Sequence, residues 1–179
     1  MSNPQVFREL KQFIGFADSD ADNLRALAPI FAASGGAITD DFYRRLEKNP
    51  ETAALIAGRV DTLKATHNRW MTELFAGDYG DTYLENRWKI GLVHVRVGVS
   101  PHWVEAVVSF LRAAAIELIE QKVADKAQQA DYAQAVVRIL DLDLMIINLA
   151  YGEERLDRLS QFTGMSRKLI ERCVTQKKA

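Results

Sequence analysis

Along this chain apolar residues return at intervals of three and four, the spacing that collects them on one face of a helix. Long alternating runs of β-branched residues, the mark of a strand, do not occur. The pattern predicts a short amphipathic segment over about 4–14, with Val6, Phe7, Leu10, Phe13 and Ile14 on its apolar side. A helix capped by Asp18 or Ser19 follows, bearing Leu24, Leu27, Ile30 and Phe31, and Gly35-Gly36 is expected to break it. The next helix, about 37–48, presents Ile38, Phe42, Tyr43 and Leu46. Asn49-Pro50 opens a short helical turn with Leu55 and Ile56, closed by Gly58. A helix over about 59–75 carries Val60, Leu63, His67, Trp70 and Leu74 and ends at the loop Gly77-Asp78-Tyr79-Gly80-Asp81. The helix after it holds Tyr83, Trp88 and His94. Pro101 to about Val123 reads as a long apolar helix, and the last begins near Ala127 and continues past Ile147. The expectation is an all-α fold of about eight helices without strands.

The segment Lys89–Trp103 stands out as a helix end, a tight connection and a helix start. Gly98 lets the backbone turn at positive φ, Ser100 is placed to cap the next helix, and Pro101 suits a first turn that needs no N–H. His94 is thereby held at a corner among Ile90, Leu92, Val93, Val95 and Val97. An imidazole so placed reads either as a packed core residue bonded to a carbonyl or as the ligand of an apolar iron cofactor, haem.

Composition narrows the classes. The chain has 179 residues, enough for one domain plus a short extension, and 48% of them are hydrophobic, enough for a core. A net charge of −1 offers no basic field for a phosphate backbone, so no nucleic-acid partner is expected. Neither a secretory leader nor a run long and apolar enough for a membrane span is present, and a single cysteine, Cys173, excludes an internal disulfide. Both fit a soluble protein in a reducing compartment, and a cytoplasmic location is expected. No phosphate-binding glycine loop, zinc spacing or nucleophile elbow occurs, so the chain is not expected to be an enzyme.

Three stretches carry a resemblance. Ile90-Gly91-x-x-His94-x-Arg96-Val97-Gly98-Val99-x-Pro101-x-Trp103 resembles the proximal-histidine signature of the globin-coupled sensors, in the protoglobin-like branch of the globins. Phe42-Tyr43-x-x-Leu46 is similar to their distal segment, and Leu63-Lys64-x-x-His67-x-x-Trp70 to the helix that follows it. The likeness runs in matching order over about 5–155. It implies a globin-like fold with an extra N-terminal helix, residues 1–155 forming a sensor domain around one haem b. His94 would be the proximal iron ligand. Tyr43 would donate a hydrogen bond to dioxygen, with less benefit to CO, which carries less charge.

Around these, Phe42, Leu63, Ile90 and Val97 would line the pocket. Gly91, one turn before His94, would let the flat macrocycle lie close to the helix. Arg87 or Arg96 could pair with a haem propionate, the competing reading being a solvated surface charge. His67 has three readings: a surface residue, a pocket residue, or a sixth iron ligand when no gas is bound. Thr66 is a second polar candidate on that helix, and His102 is expected to be exposed.

After Tyr151-Gly152 the chain carries Leu156, Leu159, Phe162, Leu169 and Cys173 at nearly a and d spacing, weakened by Gly164. Residues 156–179 read either as a frayed amphipathic tail or as a linker helix toward an output domain. The helices 101–123 and 127–150 carry many apolar residues, from which a homodimer through a four-helix bundle is expected. The function implied is sensing of O2, with CO and NO as further ligands. Two alternatives stand beside it: a single-domain protoglobin-like globin that binds these gases without signalling, and a haem-free globin-fold signalling module.

Overall fold

A computed structural model describes residues 4–175, all helix and connection, with no strand among them. The helices are α1 (Pro4–Phe13), α2 (Asp18–Lys48), α3 (Pro50–Ile56), α4 (Val60–Leu74), α5 (Asp81–Val97), α6 (Pro101–Lys122), α7 (Lys126–Thr163) and α8 (Arg167–Thr175). The first residues of the expected 1–155 domain and the last of the 156–179 segment, 1–3 and 176–179, lie outside the described residues.

Helix α7 is the axis of the packing: α5, α6 and α2 all lie against it. Its Ala135, Val136, Ile139, Leu142, Ile146 and Ala150 have no exposure. Such all-round burial explains why α7 lacks a single apolar stripe. The apolar residues of α6 and α7 that suggested a bundle between two copies are largely buried inside one copy: Val104, Val108, Leu111, Val136, Ile139, Leu140 and Ile147 are all 7% exposed or less. Their number therefore no longer argues for a second molecule.

Gly35-Gly36 does not break the chain. Helix α2 runs through both glycines without interruption. Gly35 is buried where α4 crosses α2, and a Cβ there would lie 2.5 Å from Met71 Sδ. The glycine permits a close helix crossing rather than a turn. Gly91 does the same between α5 and α7, where a Cβ would meet Ala150 Cβ at 2.6 Å and the Ile147 carbonyl oxygen at 2.8 Å. Its smallness thus serves α7 and not a macrocycle.

The α5–α6 corner forms as the local chemistry requires. Gly98 is left-handed at φ 81°, the Val99 N–H donates to the His94 carbonyl at 3.0 Å, and Pro101 occupies the first turn of α6. Ser100 sits at the cap position, but its hydroxyl makes no capping bond. The Tyr151 hydroxyl donates to the Val99 carbonyl at 2.8 Å, tying α7 to the corner. Asp18 and Ser19 do not cap α2 either: the cap residue is Ala17, whose N–H donates to the Asp20 carboxylate at 2.8 Å.

Helix α7 passes residue 155 without a break and stops at Gly164, left-handed at φ 71°. Helix α8 then folds back against α7. Arg167 pairs with Glu153 at 2.7 Å and Asp157 at 3.0 Å, and Ile170 is 3% exposed. Leu156, Leu159 and Phe162 therefore lie on one helix and Leu169 and Cys173 on another, and no continuous a/d stripe joins them.

Candidate functional site

Two small apolar clusters lie beside the main core, each with a histidine. The first gathers Phe42, Tyr43 and Ile56, with Leu46, Val60, Leu63, Val107 and Phe110 packed on them. His67 joins it: its ring lies 5.0 Å from that of Phe42 and 5.1 Å from that of Trp70, with Tyr43 edge-on at 6.3 Å. The second gathers Val104, Ile147 and Tyr151, with Ile90, Val95, Val99 and Leu144. His94 joins it through Tyr151, ring centres 6.4 Å apart. Helix α6 contributes to both, through Val104 on one side and Val107 and Phe110 one to two turns on.

Three ring nitrogens in and near these clusters lack partners. His67 Nε2 and His94 Nδ1 are buried without a hydrogen bond, as is the indole nitrogen of Trp103. Burial pulls both imidazoles down to about 4, so each is neutral at neutral pH and keeps a lone pair. Burial pushes Tyr43 up to about 12, so its hydroxyl stays protonated and able to donate. Buried polar groups are ordinarily satisfied, and a set of orphans on apolar walls is the signature of a site made for another molecule. Two neutral imidazoles in apolar surroundings, one of them beside an O–H donor, have the chemistry to hold an iron in an apolar macrocycle. Among the described residues no three His, Cys, Asp or Glu side chains cluster to hold a bare ion.

The residues present thus fit a haem. The sequence profile of the protoglobin family matches residues 3–157. The chain belongs to the protoglobin family. Its fold matches the globin domain of the Geobacter sulfurreducens globin-coupled sensor with a TM-score of 0.77 and 34% identity, over 80% of this chain and 96% of that one. The globin domain of E. coli DosC in its ferric form matches with a TM-score of 0.69, over 79% of this chain and 97% of that one. At 18% identity it shows the fold alone. The heme-based aerotactic transducer HemAT of Halobacterium salinarum is 30% identical over 143 residues, 75% of this chain. The chain spans about 29% of that relative's length.

Of the residues expected at the site, Tyr43, Phe42, Leu63 and His67 come together on the first side. Ile90 and His94 come together on the second. Three do not join. Arg87 is fully buried beneath α4 and α7: its Nε lies 2.9 Å from Asp143 Oδ2, an ion pair not aligned as a hydrogen bond, and its Nη1 donates to Glu73 at 2.7 Å. Its charge is already matched, so it is not free for a propionate. Val97 is 36% exposed on the surface of α5. Thr66 is exposed, and its hydroxyl donates to the Thr62 carbonyl one turn back. Arg96 and His102 are exposed.

Sequence reasoning missed a polar centre under the site. The Trp70 indole donates to Asp143 Oδ2 at 2.8 Å, and the Tyr83 hydroxyl donates to Asp143 Oδ1. Burial raises the Asp143 carboxyl, and Arg87 opposes that rise. The signal was legible: Asp143 stands three and four residues from Ile139, Leu140, Ile146 and Ile147, on the apolar face of its helix. Tyr151 was likewise read as a boundary and not as a wall of the site.

Proposed function

We propose that this chain is a haem-based gas sensor globin that holds one haem b through His94, with Tyr43 and His67 on the distal side. The observation that carries the reading is the pair of neutral histidines, each in its own apolar cluster, with buried ring nitrogens that no protein group satisfies. The globin-coupled sensor likeness and the HemAT similarity support it.

A bound haem supplies an iron that takes up diatomic gases, O2 first, with CO and NO as further ligands. His94 would anchor it from the end of α5. Tyr43 would hold an O–H donor on the distal side, which would favour O2 over the less polar CO. Phe42, Leu63 and Ile90 supply apolar surface and keep water out. His67 would serve as the sixth ligand in the absence of gas. The signal would leave by two routes: from the His94 corner into α6, and through Tyr151 into α7 and α8, the path toward any output domain. A homodimer through the outward face of α6 and α7, where Leu149 is 39% exposed, completes the reading. No helix among the described residues is long and apolar enough to cross a membrane.

An absorption spectrum of the purified chain, reconstituted with haem, tests the core of this. A Soret band is expected, and His94→Ala should lose haem or hold it with a much faster dissociation rate. An unchanged spectrum and dissociation rate in His94→Ala would remove that residue from the proximal role.

A further inference from the structure

Beside His67 lies a hydroxyl–amide pair that the gas-binding reading does not use. The Thr39 hydroxyl is 2.9 Å from His67 Nδ1 and donates its hydrogen to Asn68 Oδ1 at 2.8 Å. Thr39 is 1% exposed. A hydroxyl has one hydrogen to give. With that hydrogen committed to Asn68, the threonine oxygen can only accept from the imidazole. A neutral imidazole carries one N–H, so a proton held on Nδ1 leaves Nε2 as a bare lone pair. That Nε2 is the buried atom with no partner. The rings of Phe42 and Trp70 pack on the imidazole at 5.0 and 5.1 Å.

We infer that Thr39 and Asn68 are a positioning pair that fixes His67 in its Nδ1–H tautomer and so presents Nε2 as the distal ligand for iron. This rests on the haem reading above and deepens it. The opposite tautomer would put a hydrogen on Nε2 and leave nothing to offer a metal. The arrangement is that of a metal-ligating histidine whose second nitrogen is held by an outer partner, and loss of such partners typically weakens metal affinity about 10–100-fold. The direction of the chain is set at its far end: Asn68 stands one residue past His67 on α4, while Thr39 is on α2, so the tautomer also reports the α2–α4 crossing.

The test uses two readouts and four variants. The first readout is the 15N side-chain spectrum of His67 in the full chain before haem is added, which reports the tautomer without any cofactor. The second is the low-spin, six-coordinate fraction of the ferric haem-loaded chain. Thr39→Val removes the hydroxyl at nearly constant shape, and Thr39→Ser restores it. Asn68→Ala, at an exposed residue where misfolding is not a concern, frees the threonine hydrogen to donate to Nδ1, and Asn68→Asp keeps an acceptor in place. Val and Ala are expected to move the proton to Nε2 and lower the six-coordinate equilibrium about 10–100-fold. Ser and Asp are expected to keep both readouts near wild type. A His67 that keeps its Nδ1–H tautomer in Thr39→Val and Asn68→Ala overturns the proposal, as does a six-coordinate fraction that ignores the tautomer. A wild-type chain that binds haem but stays five-coordinate also overturns it, while leaving the gas-sensor reading standing. A chain with no Soret band fails that reading instead, and the proposal falls with it even if the tautomer is as described.

Discussion

Two glycines in helix interiors should answer the same substitution with opposite signs. Gly36 lies in the middle of α2, exposed, with open space where a Cβ would go. Gly36→Ala removes only the backbone freedom of glycine in the unfolded chain, a gain of about 0.5–1 kcal/mol. Gly91→Ala earns the same helical gain but puts a methyl 2.6 Å from Ala150 Cβ, so α5 and α7 must part by about 0.8 Å to reach ordinary contact at 3.4 Å. The second obstacle, the Ile147 carbonyl at 2.8 Å, is backbone and cannot rotate away. Overpacking of this kind costs about 1–3 kcal/mol, which against the helical gain leaves a net loss of up to about 2.5 kcal/mol. For a domain this size that is a fall in Tm of up to about 10 °C. Urea denaturation followed by far-UV circular dichroism measures both variants, with Ala150→Gly added to Gly91→Ala as a third. The added change relieves one of the two clashes and should recover part of the loss. The reasoning is refuted if Gly91→Ala is as stable as Gly36→Ala, since the α5–α7 contact would then not be limited by the glycine. Because Gly91 lies one turn before His94, the same variant should also raise the haem dissociation rate.

Three further outcomes are expected. Asp143→Ala leaves the Arg87 charge buried with only Glu73 beside it and should cost about 3–5 kcal/mol, nearer the lower end because Glu73 remains; a loss under 1 kcal/mol in chemical denaturation would mean that Arg87 reaches water on its own. Tyr43→Phe deletes one donor and should speed O2 release by about ten- to a hundredfold, with a smaller change for CO, as read by stopped-flow; equal changes for the two gases would assign Tyr43 a steric role. Leu149→Glu, on the outward face of α7, should lower the molar mass seen by light scattering from dimer to monomer, and a wild-type chain that is already monomeric at micromolar concentration contradicts the dimer.

The parts of this protein that were legible in its sequence are those whose causes are local. Helix content, the Asn49-Pro50 start and the Gly98-Ser100-Pro101 corner follow from periodicity, positive φ and a missing N–H, which depend on a few neighbouring residues. His94 at the corner and Tyr43 and His67 on apolar faces were visible for the same reason, and the structure sets each in an apolar cluster. Tertiary packing decided what those residues meet. Gly35, Gly91 and Gly98 are the same residue doing two jobs, close crossing or turn, and what separates them is that a helix passes over the first two and none over Gly98. Arg87 stands two turns before His94 and looked available to a cofactor carboxylate, but the carboxylate it pairs with is Asp143, 56 residues away in the chain. Thr39 and His67 are 28 residues apart and meet only where α2 crosses α4. A buried polar group must find its partner in three dimensions, because removing water makes any unmet hydrogen bond costly. That partner is chosen by how helices cross, a property of the whole packed chain and not of any one stretch of it.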